Sequence, residues 1–139
     1  MIKIFDGKFD FLSNFFYHPF EYNGMRWKTS EHAFQAMKSL DPQEINEVRF
    51  CPGPGSAKRM GRRVKMRPDW DYVKTKTMFD ILQCKFQGDL KQRLLDTGDL
   101  TITEGNYWHD NFWGDCYCSK CARIDGINML GRLLMKVRG

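Results

Sequence analysis

Residues 51–55 read CPGPG, and this stretch limits the fold more than any other. Two prolines and two glycines within five positions are incompatible with a continuing helix. The residues before it carry the opposite signals: Asp41 suits an N-cap, Pro42 the first helical position and Glu44 the reciprocal capping position. The sequence therefore predicts a short helix that begins at Pro42 and stops before Cys51.

Periodicity and capping signals divide the rest of the chain into short elements. Asn23 and Gly24 lie between two aromatic-bearing arms, a pattern typical of a hairpin with a type I′ turn. Short strands are expected at residues 2–5 and 100–105, and residues 106–120 show no clear periodicity. Further helices are expected at residues 30–40, 56 to about 64, 69 or 71 to about 86, 88–98 and 126–138. The sequence thus predicts an α+β fold, a compact helix-rich single domain with a few short β-strands.

The length of 139 residues and the 42 % of hydrophobic residues are typical of one globular domain. The N-terminal stretch lacks the apolar run of a secretory signal, and no run of about 18 apolar residues is present that would span a membrane. Five cysteines without a secretion signal are expected to be reduced thiols. We therefore expect a cytoplasmic protein without a disulfide framework.

Positive charge is concentrated in residues 58–67, KRMGRRVKMR, which hold six basic residues and no acidic one. Removing these six charges from the formal net charge of +5 leaves the rest of the chain at −1. A duplex-binding footprint usually spreads over a whole face, so one cationic element on a near-neutral domain better fits a clamp for a small phosphate or diphosphate. Arg62 and Arg63 are the candidate clamp residues. A solvated helix and non-specific nucleic-acid binding stay open as alternatives.

Residues 29–38, TSEHAFQAMK, contain the best candidate for a chemical face. Four of them follow the i, i+3, i+4, i+7 rule and would share one side of a helix: Glu31, Phe34, Gln35 and Lys38. The simplest interpretation is a solvated face with a glutamate–lysine pair, since such faces are common. Phe34 fits that interpretation poorly, because a solvated face disfavours an aromatic ring. His32 leaves this face and is expected to pack or to cap.

Residues 104–116, EGNYWHDNFWGDC, combine aromatic and acidic side chains without any periodicity. A loop this aromatic is either buried against the core or folded around a flat ligand, and we favour the ligand pocket. Trp108 and Trp113 would then face the ligand. Glu104 and Asp110 can serve there as acid–base groups or can cap backbone amides, and the sequence leaves both roles open.

Three cysteines follow at once in a C-x-C-x2-C arrangement: Cys116, Cys118 and Cys121. Three thiolates can bind zinc with a fourth ligand from elsewhere, such as His109 or Cys51. The paired C-x2-C…C-x2-C signature of many zinc sites is absent, however. The favoured interpretation is therefore plain reduced thiols, with a metal site as the less favoured one.

Several motifs, taken in order, resemble those of the YbiA-like, or NADAR, family. They are FLSNFF, PFEYNGMRWKTSEHAFQAMK, RPDW, KF, LLDTGD, TEGNYWHDNFWG and GINMLGRLLMKVRG. Each is weak alone, but the ordered set is specific and runs from about residue 5 to residue 138. The thiol-bearing stretch between Trp113 and Asn128 departs from the shorter loop of the YbiA type. The resemblance implies a YbiA-like fold.

The resemblance also implies a hydrolase that cleaves an N-glycosidic bond and needs no cofactor. Family members cleave ribosylamine-type intermediates of riboflavin synthesis or remove ADP-ribose from guanine bases. In both substrates ribose C1 is bonded to an exocyclic amino nitrogen, and both carry phosphate. The implied partners are thus a small phosphorylated N-glycoside or an ADP-ribosylated guanine, with nucleic acid as a carrier of the modified base. The implied substrate-binding residues are Asn14, Phe15, Trp27, Phe34, Gln35, Arg62, Arg63, Glu104, Trp108, Trp113, Gly114 and Asn128.

The candidate catalytic residues are Glu31, Lys38 and Asp110. An exocyclic N-glycoside can open its ring to an imine at C1, and a neutral Lys38 would displace the amine to form a Schiff base that water hydrolyses. Glu31 would move protons on the ring oxygen and the leaving amine. Asp110, which matches the Asp-x-x-Trp-Gly motif of the family, would be a second acid–base group or would hold the ribose hydroxyls.

Two alternatives remain at this point. In the first, water attacks directly through an oxocarbenium-like state between two carboxylates. In the second, the protein is a non-catalytic module that binds ADP-ribose or a related nucleotide.

Overall fold

A computed structural model describes all 139 residues. Helices dominate and no strand is longer than three residues, so the predicted helix-rich α+β class is confirmed. The elements in chain order are a 3₁₀ helix (Gly7–Leu12), β1 (Phe20–Tyr22), β2 (Met25–Trp27), α1 (Ser30–Ala36), α2 (Pro42–Arg49), α3 (Pro54–Gly61), α4 (Trp70–Lys85), α5 (Gly88–Leu95), β3 (Gly105–Asn106), β4 (Asp115–Cys116), a 3₁₀ turn (Ser119–Cys121) and α6 (Met129–Arg138). None of the helices has the length and apolar character needed to cross a membrane.

The chain forms two compact units. The central unit, Asn14–Lys85, contains β1, β2 and α1 to α4. The terminal unit combines Met1–Ser13 with Phe86–Gly139 and contains α5, α6, β3 and β4.

Helix α1 is the core element of the central unit. It packs against α2, α3 and α4, and all seven of its residues are buried. Its N-terminus is capped by Thr29, whose hydroxyl accepts a hydrogen bond from the backbone N–H of His32 at 3.2 Å. The His32 ring also packs inside, where Nδ1 lies 2.7 Å from the Thr29 hydroxyl and Nε2 lies 3.0 Å from the carbonyl oxygen of Cys51. The expectation that His32 packs or caps is therefore confirmed.

The predicted extension of this helix to residue 40 is wrong, because α1 ends at Ala36. The backbone N–H groups of Lys38 and Ser39 bond to carbonyls three residues back, which closes the helix in a tight turn. The side chain of Ser39 then donates to Glu44 at 2.6 Å and accepts from the N–H of Asp41 at 3.0 Å. These bonds redirect the backbone into α2, and they leave Lys38 in the turn.

The start of α2 follows the prediction, with Asp41 accepting from the N–H of Gln43 at 3.0 Å and Pro42 in the first turn. The reciprocal capping role of Glu44 is wrong. Its carboxylate accepts from Ser39 and from the backbone N–H of Lys65, so it ties the end of the basic segment to α2. The CPGPG stretch ends α2 as predicted, but its second half belongs to α3, because Pro54 takes a first-turn position.

Two other predictions for the central unit are confirmed. Strands β1 and β2 pair antiparallel across Asn23 and Gly24, and both of these residues have positive φ, at 55° and 74°. Helix α4 lies within one residue of its expected bounds. Its expected apolar side is mostly buried, through Met78, Ile81 and Leu82.

In the terminal unit, the two stretches expected to form strands, residues 2–5 and 100–105, lie side by side but form no full strand. Ile2 and Ile102 form an isolated parallel bridge, and the N–H of Gly105 donates to the carbonyl of Lys3 at 2.8 Å. Strands β3 and β4 then pair in parallel, with Asn106 opposite Cys116. The last helix, α6, begins at Met129, directly after the left-handed residue Asn128.

Candidate functional site

Glu31 lies in the first turn of α1 and is buried, with 8 % of its surface exposed. Its backbone N–H donates to the carbonyl of Asn14 at 3.0 Å, and its Oε2 accepts from Nε2 of Gln35 at 2.6 Å. Gln35 Oε1, in contrast, is buried without a hydrogen-bond partner. A buried amide oxygen without a partner is uncommon, and this one packs against Gly61.

Lys38 lies in the turn after α1 and is partly buried. Burial lowers the pKa of its ammonium group below the ordinary lysine value. The charge of Glu31 opposes this effect, while the positive charges of Arg62 and Lys58 lower the pKa further. The structure thus places the Glu31 and Lys38 predicted from sequence near enough for the charge of Glu31 to act on Lys38, although Lys38 is no longer on the helix.

The basic segment meets this site through α3 and its C-terminal end. Arg62 caps α3, and the backbone N–H of Arg67 donates to the carbonyl of Lys38 at 2.7 Å. The guanidinium of Arg67 is held by two hydrogen bonds to Asp69, at 2.6 and 3.0 Å. Arg62 and Arg63 are exposed, so both remain accessible to an anion.

Of the other predicted residues of the central unit, three are buried and one is exposed. Asn14 uses its side chain to accept from the Ser30 hydroxyl at 2.8 Å, so it fixes the start of α1 and hence the position of Glu31. Trp27 has no exposed surface, and its indole N–H donates to the carbonyl of Tyr22 at 2.9 Å, which makes it part of the hairpin core. Phe34 is buried against Trp70, with ring centroids 5.1 Å apart, whereas Phe15 is substantially exposed.

The aromatic loop of the terminal unit is organised by Asn106 and Asp110. Oδ1 of Asp110 accepts from the backbone N–H groups of Phe112 and Trp113 at 3.1 and 2.9 Å. Asn106 accepts from the N–H groups of Trp108 and Asp110 and donates to the carbonyl of Asp110. Of the two roles left open for Asp110, this geometry favours capping of backbone amides over acid–base work.

Two of the remaining predicted residues of this unit, Asn128 and Gly114, lie against the backbone of residues 102–104, and the other two are tryptophans. Both ends of the Asn128 amide are used: Oδ1 accepts from the N–H of Glu104 and Nδ2 donates to the carbonyl of Ile102, each at 2.9 Å. Gly114 passes so close to Glu104 that an added Cβ would lie 2.2 Å from its carbonyl oxygen. Of the two tryptophans, Trp108 is 63 % exposed and Trp113 packs edge-on against Phe112.

The structure shows a buried lysine that was not among the site residues predicted from sequence. Lys85, the last residue of α4, has only 1 % of its surface exposed. It lies four residues after the buried Ile81, and a lysine at an apolar position of a helix is the sequence signal that marks it. Burying an ammonium group is costly unless it is paired and hydrogen-bonded, so Lys85 stands out in the central unit as a fully buried lysine beside the partly buried Lys38.

The terminal unit also carries a groove of about 440 Å³ lined by basic, acidic and aromatic residues. None of the residues predicted for the site lines it. Its lining residues are Lys8, Phe9, Phe11, Arg93, Asp96, Thr97 and Leu100.

Comparison with known proteins gives the family. A sequence model of the NADAR domain matches residues 4–139, nearly the whole chain. The chain belongs to the NADAR family. Within that family it is 40 % identical over 131 residues to the N-glycosidase YbiA of Escherichia coli, covering 91 % of this chain and 78 % of the relative. An N-glycosidase of Nostoc punctiforme is 38 % identical over 134 residues, covering 91 % and 82 %.

The fold leads to the same family. The NMR structure of E. coli YbiA superimposes with a TM-score of 0.82 at 34 % identity, covering 99 % of this chain and 84 % of the other.

A longer maize protein named riboflavin biosynthesis protein PYRR is 34 % identical over 149 residues, which cover 94 % of this chain and 23 % of that protein. This NADAR chain is an N-glycosidase-type hydrolase. The prediction of a hydrolase is thereby confirmed.

Proposed function

We propose that the chain hydrolyses the bond between ribose C1 and an exocyclic amino nitrogen of a phosphorylated, nucleotide-like substrate. The observation that carries this proposal is the cluster of the central unit, in which a buried carboxylate, a lysine of lowered pKa and an exposed arginine interact. Hydrolysis of an N-glycoside needs proton transfer, and a lysine of lowered pKa is suited to covalent catalysis. An arginine beside them supplies a partner for phosphate.

In the proposed mechanism Glu31 first supports ring opening. Glu31 donates its proton to the ring oxygen as the C1–O bond breaks, and it takes up the proton of the exocyclic nitrogen as C1 becomes an imine with that nitrogen. The neutral Nζ of Lys38 then adds to C1. The amine leaves with a proton delivered by Glu31, and a Schiff base links Lys38 to the sugar. Water hydrolyses this Schiff base, which releases the free sugar and restores the lysine, with no change of oxidation state.

The environment of Lys38 fits the first requirement of this mechanism, which is an uncharged amine. Desolvation and two neighbouring cations lower its pKa, while Glu31 limits the shift. Lys85 is the second candidate for the attacking amine because it is also buried. Direct attack by water is the competing mechanism, and it forms no bond between sugar and protein.

Two substrate classes share the required bond. The first is a ribosylamino-pyrimidine phosphate of the kind that occurs in riboflavin synthesis, and the names of the maize and Vibrio vulnificus relatives support it. The second is guanine carrying ADP-ribose on its exocyclic nitrogen, free or within nucleic acid. Incubation of the purified protein with each class, with sugar release followed by mass spectrometry, tests the proposal. Release from neither substrate would contradict it.

Loss of either exposed arginine is expected to weaken the preference of the enzyme for phosphorylated substrates. Arg62→Ala and Arg63→Ala should each reduce kcat/KM for a phosphorylated substrate roughly 10- to 100-fold, as expected for one charge-assisted hydrogen bond. The dephosphorylated analogue should lose much less. Parallel kinetics on both substrates make the measurement, with the exposed Arg132→Ala as a control that should affect neither. Equal losses on the two substrates would remove the clamp role.

The pH dependence should report the proton on Lys38. Because the amine must be neutral, kcat/KM is expected to rise with pH, with its midpoint below the ordinary lysine value of about 10.4. Arg62→Ala should move that midpoint to higher pH, since the charge of Arg62 lowers the pKa of Lys38. Arg59→Ala, on an exposed position of the same helix, should leave it unchanged. If the midpoint is the same in Arg62→Ala and wild type, the rise of kcat/KM with pH does not come from deprotonation of Lys38.

A further inference from the structure

Four side chains of the terminal unit converge on one point. Nδ1 of His109 and the sulfur atoms of Cys116, Cys118 and Cys121 all lie within 4.8 Å of one another. Nδ1 is 3.3 Å from the sulfurs of Cys118 and Cys121 and 4.0 Å from that of Cys116. All three cysteines are free thiols rather than members of a disulfide.

The spacing of these atoms matches one four-coordinate metal ion. Zinc holds sulfur at about 2.3 Å and imidazole nitrogen at about 2.0–2.1 Å in a tetrahedron, which places neighbouring ligand atoms about 3.6–3.8 Å apart. The observed separations lie on both sides of that value. Soft thiolates favour zinc over calcium or magnesium, which take oxygen ligands. An iron–sulfur cluster distributes its thiolates over several iron atoms and needs wider spacing.

Local structure holds the four groups in place before any ion binds. Cys116 lies on β4, paired with β3, and Cys121 ends the 3₁₀ turn of Ser119–Cys121. His109 reaches the cluster from a left-handed backbone conformation, with φ of 69°. These elements bring together ligands that are separated by up to 12 positions in the sequence.

N–H groups donate to two of the three sulfurs, as they do in structural metal sites. The backbone N–H of His109 donates to the sulfur of Cys116 at 3.3 Å, and Nδ2 of Asn111 donates to that of Cys121 at 3.4 Å. The other end of the Asn111 amide accepts from the N–H of Cys116 at 2.9 Å. Such donors orient thiolate ligands and spread their negative charge. Cys116 and Cys121 are also buried, at 3 % and 5 % exposure, which suits a structural role.

We propose that His109, Cys116, Cys118 and Cys121 bind a single zinc ion. Three thiolates and one imidazole complete a tetrahedron, so no position remains for water or substrate and the ion is structural. It closes the segment from residue 109 to residue 121, which follows Trp108 and contains Asp110. The fourth ligand is His109. Cys51 belongs to the central unit, where its thiol donates to the carbonyl of Glu47 at 3.3 Å. The site is independent of which N-glycoside the enzyme cleaves.

Metal analysis of the full-length protein, purified without a histidine tag, tests this proposal. Wild type should carry one zinc per chain after expression in zinc-supplemented medium. Cys118→Ser and Cys121→Ser should lose the ion, and Cys84→Ser, a thiol outside the cluster, should retain it. A folded wild type without zinc, or full zinc content in Cys121→Ser, would overturn the proposal.

Wild-type protein supplies a second measurement in case these variants do not fold. Removal of the ion with a chelator under reducing conditions should lower Tm, and zinc should restore it. Cobalt in place of zinc should give thiolate-to-metal charge-transfer bands and the visible bands of a tetrahedral ion. Alkylation mapped by mass spectrometry should label Cys116, Cys118 and Cys121 only after metal removal, and Cys84 equally in both states. Equal labelling of the cluster in both states, or a disulfide within it, would contradict the site.

Discussion

Replacing Glu31 with glutamine is expected to lower kcat/KM roughly 10²–10⁴-fold, the usual contribution of a general acid–base group. Glutamine keeps the size of the side chain and can still accept a hydrogen bond from Gln35, but it cannot take up or release a proton at neutral pH. The loss should therefore occur without a loss of fold. Steady-state kinetics together with thermal unfolding make the measurement.

Glu47→Gln is the matched control, because Glu47 is an exposed glutamate on α2. It should retain wild-type kinetics. If Glu31→Gln reduced the rate only a few-fold while folding normally, Glu31 would be a packing residue that orders Gln35, and the proton transfers would belong to another group.

Removing the amine of Lys38 is expected to have an effect at least as large. Lys38→Ala should abolish turnover above background, because no bond to C1 can form. Lys38→Arg is the more informative variant: it preserves a positive charge and a long side chain, but the guanidinium stays protonated and cannot attack. If the lysine is the nucleophile, arginine should fail as completely as alanine.

An electrostatic role gives a different pattern. If Lys38 only attracts phosphate or orders Glu31, Lys38→Arg should recover most of the activity that Lys38→Ala loses. Lys91→Ala, at an exposed position of α5, should leave kinetics and stability unchanged in either case. Activity of Lys38→Arg close to wild type would contradict covalent catalysis by this residue.

Much of the fold follows from local sequence signals. The hairpin at Asn23 and Gly24 is predictable because a type I′ turn needs positive φ at both central residues. The cap at Asp41 is predictable because its carboxylate reaches a backbone N–H two residues on. Such contacts lie within a few positions of one another, so the sequence alone specifies them.

The wrong predictions concern the end of α1 and the role of Glu44, where hydrogen bonds to residues outside the local pattern determine the structure. The extension of α1 to residue 40 failed because Ser39 bonds to Glu44 and Asp41 rather than leaving the backbone helical. The capping role of Glu44 failed because Lys65, 21 residues away, donates to its carboxylate. Periodicity contains no information about such partners.

The candidate site also contains some features that local sequence predicts and others that it does not. The association of Glu31 with Lys38 was predictable, since seven positions bring them to one side of a helix, and after the turn that follows Ala36 the charge of Glu31 still acts on Lys38. The burial of Trp27 was not, because an aromatic residue in a strand looks the same from sequence whether it lines a pocket or a core. The convergence of His109 with the three cysteines depends on the pairing of β3 with β4 and on a left-handed residue.

Reductive trapping detects a covalent bond between Lys38 and the sugar. The active protein is mixed with an N-glycoside substrate it turns over, borohydride is added, and the digested chain is searched by mass spectrometry for a reduced sugar adduct. If Lys38 is the nucleophile, one adduct per chain is expected on the peptide that contains Lys38, and none in Lys38→Arg. Turnover without any adduct would contradict the Schiff base and favour attack by water, and an adduct on Lys85 would transfer the nucleophilic role to that lysine.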